Sequence, residues 1–426
     1  MKTRALPFSF IFLALFSAPR GAVAEDLPTS EIHLPDLVRE ALERNPEVQM
    51  AARVVEAKHA HIPQAGALPD PVLMYGVENE GRPVPFETLG TNGFSDVYVG
   101  ITQEIPFHGK RGLREKVASE EASAEEWAYE RIRRRVAVQV AEAYYDLYAT
   151  HAALGIVDES LKLLDQLTKV ARARLAVGQA SQQDVLDAEV ELSRLEERKS
   201  TLERRRATTE AALRRLLLRT APAPLGRPAS ILETPLAATL DELLARAEEE
   251  SPMMHEAENR TSKAERTVDL ARRERLPDFG VKLAYYNRGG LDPWYSFGGT
   301  VSLPIYAGRK QQQAILEASA DLGAARSARE AVVSEVRFEV TESYFMASTS
   351  DRLLRLYDEG ILKQARLSLD SAIAQYQVGK VDFLTLVSSW RRLLDYNLAY
   401  HEQLAEHEKA LARLAVHVSP SPGQGS

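Results

Sequence analysis

The sequence predicts a mainly α protein with a smaller β part, built as duplicated halves in which four strands accompany long α-helical hairpins. Three observations predict it. An internal repeat recurs at an offset near 200 residues, long stretches carry apolar residues at alternating spacings of 3 and 4, and four short segments alternate with a period of 2.

The chain begins with Lys2 and Arg4, continues through an apolar run from Pro7 to Ala18, and reaches Ala22-Val23-Ala24 before Glu25. Residues 1–24 therefore read as a secretory signal, which places the mature chain outside the cytoplasm. The apolar run is shorter than the about 20 residues that a membrane-spanning helix needs. No second long apolar run follows in residues 25–426, so entry into a bilayer would have to be by a closed barrel, whose strands satisfy every backbone hydrogen bond. The chain contains no Cys, which excludes disulfides, thiolate metal sites, Cys nucleophiles and a lipid anchor on a Cys. A formal net charge of -8 argues against nucleic acid as a partner.

Five anchors carry the repeat. Leu37–Pro46 returns as Leu243–Pro252, Leu68-Pro69-Asp70 as Leu276-Pro277-Asp278, and Ile105-Pro106-Phe107-His108-Gly109-Lys110 as Leu303-Pro304-Ile305-Tyr306-Ala307-Gly308-Arg309. Glu142-Ala143-Tyr144-Tyr145 returns as Glu342-Ser343-Tyr344-Phe345, and Val177-Gly178 as Val378-Gly379. The offsets, 206, 208, 198, 200 and 201, keep the order with small insertions. The halves are thus expected at 25–220 and 236–418, joined by the Pro-rich linker 221–235 and followed by a disordered tail, 419–426.

Each half opens with a helix, expected over roughly 34–62 and 239–275. Two alternating segments follow. Pro71–Glu80 and Ser95–Ile105 belong to the first half, Phe279–Tyr286 and Trp294–Ile305 to the second. Val97, Val99 and Ile101 share a face, as do Phe279, Val281, Leu283 and Tyr285, and Tyr295, Phe297, Val301 and Leu303. Such alternation over about 10 residues, with aromatics near the ends, is what outer-membrane strands show; a half-buried soluble sheet alternates in the same way. Four strands cannot close a barrel that needs about 8, so a barrel requires several chains.

Next in each half come two long helices separated by Val-Gly. Leu154, Val157, Leu161, Leu164, Thr168, Ala171 and Leu175 form one seam, continued by Val185, Ala188, Leu192, Leu195 and Leu202 with Lys199 intruding. A single helix from Gly109 to Val177 would be about 100 Å long at about 1.5 Å per residue. The dense Glu and Arg of Glu196–Arg206 read as a solvated helix face.

No enzyme, cofactor or metal signature emerges. His401 and His407 are 6 apart and His59 and His61 are 2 apart, so neither pair has the i, i+4 spacing of a helical zinc site. Asp184 and Asp187, 3 apart, share a helix face; they are either acids at a helix start that Ser181 caps, or, in a symmetric oligomer, rings of carboxylates in a pore.

Signal, duplicated halves, two strand pairs and two long helix pairs together resemble the TolC family of outer-membrane efflux proteins, over essentially all of the mature chain. The resemblance implies a homotrimer with four strands from each chain in one 12-stranded β-barrel, set in outer-membrane lipid and continued by an α-helical tunnel across the periplasm. Arg174-Leu175-Ala176-Val177-Gly178-Gln179-Ala180-Ser181 with Asp184–Ala188 resembles the family's periplasmic tip, and Tyr376-Gln377-Val378-Gly379 its second copy. The resemblance makes Arg174, Leu175, Gly178, Ser181, Tyr376 and Gly379 adaptor-docking residues. The family's best-known member carries paired acids at its closed end in the second repeat. Here Thr385 and Ser388 stand at those places and Asp184 and Asp187 occur in the first repeat instead, so all four are pore or gate candidates. Gly66–Pro71 and Gln103–Lys110 look like the heavy-metal efflux members, of the CusC and CzcC kind. That implies a periplasmic adaptor and an inner-membrane pump of the resistance-nodulation-division class as partners. The competing function is a periplasmic adaptor or coiled-coil scaffold, which should show one long hairpin flanked by soluble β domains.

Overall fold

The computed structural model describes residues 31–81, 83–220 and 225–418. The expected signal, the tail and the first four linker residues lie outside them. The first half runs β1 (Glu31–Ile32), α1 (Leu34–Arg44), α2 (Pro46–Gly66), β2 (Val72–Glu78), β3 (Asp96–Ile105), α3 (Lys110–Ala176) and α4 (Gln182–Leu216). The second runs β4 (Arg227–Pro228), α5 (Leu240–Glu250), α6 (Pro252–Arg273), β5 (Asp278–Arg288), β6 (Leu291–Ser302), α7 (Gln311–Leu356), a π-helical turn (Tyr357–Ile361), α8 (Leu362–Gln377) and α9 (Phe383–Val418).

The single opening helix expected in each half is two helices. Pro46 and Pro252 each take the first helical position, where the missing N–H is not needed, and force the residue before them into extended backbone. Asn45 adds a cap, its side chain accepting from the Glu47 N–H at 2.9 Å. The long helix of the second half is likewise interrupted. Leu154 and Leu354, offset by 200, are both buried, whereas beyond the π turn Ala171 pairs with Ala372 at an offset of 201. The second half has gained one residue there, and a wider turn absorbs it without breaking the rod.

The repeat is visible in two matched cores. Leu37, Ala41 and Val48 pack on Val136, Val140, Tyr144, Leu213 and Leu217. Leu243, Ala247 and Met254 pack in the same way on Val336, Val340, Tyr344, Leu414 and Val418. A third core joins α3, α4, α8 and α9 along the seam, from Val157, Leu164, Ala171, Val185 and Leu195 to Tyr376, Phe383 and Trp390. Of the seam positions, Leu175 is exposed at the end of its helix, and Lys199 reaches sideways to Asp158 at 2.9 Å. The linker is packed where it is described: Leu225 is buried, Arg227–Pro228 pairs with Glu31–Ile32, and the Thr234 N–H donates to Glu408 at 2.8 Å.

β2, β3, β5 and β6 form one antiparallel sheet in that order. The helices next to it follow the same order, α2 against α3, α3 against α6, and α6 against α7. Strand ends differ slightly from expectation: β6 begins earlier, at Leu291, and stops at Ser302, so Leu303 and Ile305 lie beyond it. Pro293 is tolerated because β6 is an edge strand.

Candidate functional site

The sheet has two chemically distinct faces. Leu73, Ile101, Leu283 and Phe297 sit in one rung and Tyr75, Val99, Tyr285 and Tyr295 in the next, all exposed on the same side. The other side carries the rungs Met74–Gly100–Ala284–Ser296 and Gly76–Tyr98–Tyr286–Trp294. Gly76 has to be Gly: a Cβ there would stand 2.7 Å from the Tyr98 hydroxyl. The freed space lets Tyr98 pack on Tyr286 at 5.4 Å and Tyr286 on Trp294 at 4.4 Å. An apolar, solvent-exposed sheet face is costly in water, at about 25 cal/mol per Å² of apolar surface, and such a patch marks a site that meets lipid or protein.

At the far end of the rods both turns have the same construction. Gly178 has φ +73 and Gly379 φ +75. The Gln179 N–H donates to the Arg174 carbonyl at 2.8 Å and the Gly178 N–H to Leu175 at 3.0 Å, a double bond pattern that closes a helix C-terminus. Lys380 and Gly379 repeat it on Gln375 and Tyr376. Val177 and Val378 are equally exposed at the two turns. Gly178→Val meets no side chain, so its cost is the left-handed backbone alone, about 1–2 kcal/mol. Faster amide exchange at Gly178 and Gln179, with the rest of the protein unchanged, is the expected result.

Arg174 ties the two tips together. Its guanidinium lies 4.8 Å above the Tyr376 ring and donates to the Tyr376 carbonyl and, at 3.4 Å, to that of Gln179. A Cβ on Gly379 would approach the same guanidinium to 3.2 Å. Tyr376 is buried against Phe383, and its hydroxyl is held above the usual range by burial, then by the Asp184 carboxylate.

The gate candidates have local partners. Ser181 caps α4, its hydroxyl accepting from the Asp184 N–H at 3.2 Å while Asp184 accepts from the Ser181 N–H at 3.4 Å. Asp187 accepts from Gln183 at 2.9 Å. At the equivalent start of α9 the acid has moved: Asp382 stands where Ser181 does and accepts from the Thr385 N–H at 2.9 Å, and hydrogen bonding by the Thr385 side chain, then by its N–H, holds the Asp382 carboxyl below the usual range. Ser388 donates to the Thr385 carbonyl at 2.9 Å. Each helix start therefore keeps one capping carboxylate, which accounts for Thr385 at an acid's position.

A cluster at the junction of sheet and rods escaped the sequence reading. Lys110, only 1 % exposed, is 2.9 Å from Asp278, 3.1 Å from Glu274 and 2.9 Å from the Leu276 carbonyl. Asp278 also accepts from the Phe107 N–H at 2.7 Å. The signal was present, because both partners lie inside repeated motifs, Gly109-Lys110 and Leu276-Pro277-Asp278. The histidines serve packing or surface contacts: His407 is buried between the carbonyls of Ala347, at 3.0 Å, and Thr234, at 2.7 Å, and His401 approaches the Tyr148 hydroxyl at 3.3 Å. Among the described residues no group of three or more His, Asp or Glu is placed to hold a metal ion, and no helix is long and apolar enough to cross a membrane.

One sheet with an exposed apolar face, set on two pairs of long helical rods, is an arrangement that comparison with known proteins places in a family. The profile of the outer membrane efflux protein family matches residues 37–217 and 243–416, and the chain belongs to that family. The nickel-cobalt-cadmium resistance protein NccC of Alcaligenes xylosoxydans xylosoxydans is 25 % identical over 311 residues, 72 % of this chain and 67 % of that protein. The outer membrane efflux protein BepC of Brucella suis biovar 1 (strain 1330) is 23 % identical over 289 residues, 65 % of this chain and 61 % of its own length. Among solved structures, the open state of the Neisseria gonorrhoeae MtrE outer membrane channel superposes with a TM-score of 0.75 at 18 % identity, covering 96 % of this chain and 97 % of that one. The resemblance to TolC-type channels read from the sequence holds at the level of the family and the fold.

Proposed function

We propose that this chain is the outer-membrane exit duct of a tripartite efflux system, conducting substrates passively from an inner-membrane pump and a periplasmic adaptor to the outside. Three copies each contribute four strands to a 12-stranded barrel, and the rods form a tunnel across the periplasm, with both turns at the adaptor-facing end. Residues 1–24 act as the export signal. The observation that carries this is the sheet: its apolar face is exposed and both its edges, β2 and β6, are unpaired within the protomer. A soluble protein would cover such edges; a barrel removes them. The adaptor alternative lacks its expected single hairpin, since the chain has two hairpins on one sheet. The likeness to NccC supports divalent heavy-metal cations as the cargo.

Detergent-solubilised protein from the outer-membrane fraction is expected to be a trimer by light scattering. A monodisperse, detergent-independent monomer would remove the duct. Deleting the gene is expected to lower the nickel, cobalt or cadmium concentration that the host tolerates. Unchanged metal tolerance with altered drug tolerance would transfer the cargo to organic compounds.

A further inference from the structure

We infer that the groove between the start of α3 and the end of α6 binds the phosphate headgroup of an anionic phospholipid from the periplasmic leaflet of the outer membrane. This rests on the outer-membrane duct proposed above, which sets the sheet in the bilayer and the rods below it.

The groove opens on the side of the apolar sheet face. Ile105 and Phe279, both exposed on that face, form its last rung before the rods. Phe107 stacks on Phe279 at 6.3 Å, and the Arg273 guanidinium lies 5.8 Å over the Phe107 ring while its Nε donates to the His108 carbonyl at 3.1 Å. Arg273 therefore stands directly below the apolar band. Asp278 precedes Phe279 in β5 and so belongs to the opposite face, which keeps the Lys110 cluster apart from this groove.

The groove has a volume of about 810 Å³, within the range of about 300–1,000 Å³ of small-molecule sites. α3 contributes Gly109, Gly112, Leu113 and Lys116, and α6 contributes Asp269, Arg272 and Arg273, each set spaced along one helix face. A Cβ on Gly112 would meet nothing within 4 Å, so the glycine leaves open space. The first turn of α3 also leaves the N–H groups of Arg111 and Gly112 without an intrahelical acceptor, an arrangement that suits an anion.

Its charge is one-sided. Lys116, Arg272, Arg273 and Arg275 stand against Asp269 alone, which reaches only Arg272, at 3.7 Å. Lys116 and Arg275 are exposed, and their side chains have no hydrogen bond or ion pair among the described residues. Further from the sheet the charges pair again: Arg266 is 4.0 Å from Glu120 and Lys263 is 3.1 Å from Glu121. The excess of cations is thus local, in a chain whose net charge is -8.

Basic residues in a last turn complement the helix dipole, which alone could account for Arg272 and Arg273. The repeat argues against that. At the offset of 208 carried by the Leu-Pro-Asp motif, Arg272, Arg273 and Arg275 fall on Gln64, Ala65 and Ala67, and α2 ends with no basic residue in its last turn. At an offset of 200 Lys116 falls on Leu316. The duplicated architecture therefore forms without these four charges. A lipid fits better than a soluble phosphate because Leu113 and Leu276 line the same groove and the exposed Phe279 continues it onto the apolar face, where acyl chains would lie. Since the groove lies between α3 and α6, it is away from the unpaired edges β2 and β6.

In native mass spectrometry of the detergent-released trimer, one phosphatidylglycerol per chain is expected to be retained in preference to phosphatidylcholine, and millimolar inorganic phosphate should not displace it. Lys116→Gln with Arg272→Gln and Arg275→Gln should weaken phosphatidylglycerol binding by about a hundredfold. Gly112→Leu fills the groove without changing charge and favours the helix; it should weaken binding as well. Lys162→Gln with Arg204→Gln and Lys363→Gln, which removes the same charge from exposed positions on the rods, should bind as the wild type does. Equal retention of the two lipids by the wild type overturns the site even if a variant fails to assemble. So does binding that survives in both groove variants, falls equally in the rod variant, or is displaced by phosphate. The same spectra give the mass of the assembly. A wild-type trimer without lipid preference removes the groove alone, whereas a detergent-independent monomer removes the duct.

Discussion

Leu283→Arg is expected to abolish recovery of the trimer from the outer membrane, while Lys282→Glu, the adjacent residue of β5, leaves recovery unchanged. Leu283 lies at the middle of the strand, between Ile101 and Phe297, and is 52 % exposed on the apolar face. Its neighbour Lys282 points to the other face, beside Thr102 and Gly298. A lipid-facing Arg near mid-bilayer costs about 2–4 kcal/mol, and the trimer would carry three of them. If the sheet were instead the surface of a soluble protein, replacing a half-exposed Leu would change stability by about 0.5 kcal/mol or less. Trimer yield from membrane fractions, read by light scattering, separates the two. Equal yields for the two variants would mean that this face does not meet lipid.

Much of this organisation can be read from local periodicity. Alternation with a period of 2 assigns Leu283 and Phe297 to one face without knowledge of the partner strands, because side-chain direction in a strand is a local property. The spacing of Val157, Leu164 and Ala171 likewise names a buried stripe before any second helix is known. What escapes is long-range. Lys110 and Asp278 are 168 residues apart, and nothing in the pattern around Lys110 announces that a Lys will be fully buried. The π turn at Tyr357–Ile361 was hidden for a different reason: its one-residue insertion appears only as the change of offset from 200 to 201, which the sequence shows but does not locate. Pro46 and Pro252 fall inside the single helices expected over 34–62 and 239–275 but each begins a new helix, because the apolar spacing continues across a Pro that the backbone cannot pass unbroken. At the tip, Ser181 was foreseen as a cap, but the exchange of roles between Asp184 and Asp382 needed hydrogen bonds.

That exchange sharpens the expectation for Asp184 and Asp187. Replacing both by Asn should leave the tip folded, since an Asn side chain still offers an oxygen to the Ser181 N–H and Ser181 still caps α4. What changes is charge: two carboxylates are lost from each chain, six in a trimer of three. If the carboxylates form rings at the periplasmic constriction, they concentrate cations there as acidic rings do in cation channels. The cation-to-anion permeability ratio of single channels in planar bilayers is then expected to fall toward unity, and block by divalent cations to weaken. Ser181→Ala supplies the opposite control. It removes the cap, at a cost of about 0.5–2 kcal/mol, but no charge, so the tip should exchange its amides faster while the permeability ratio stays as in the wild type. A ratio that falls in the double Asn variant and not in Ser181→Ala assigns the pair to the pore. An unchanged ratio in the double variant leaves Asp184 and Asp187 as residues that start a helix.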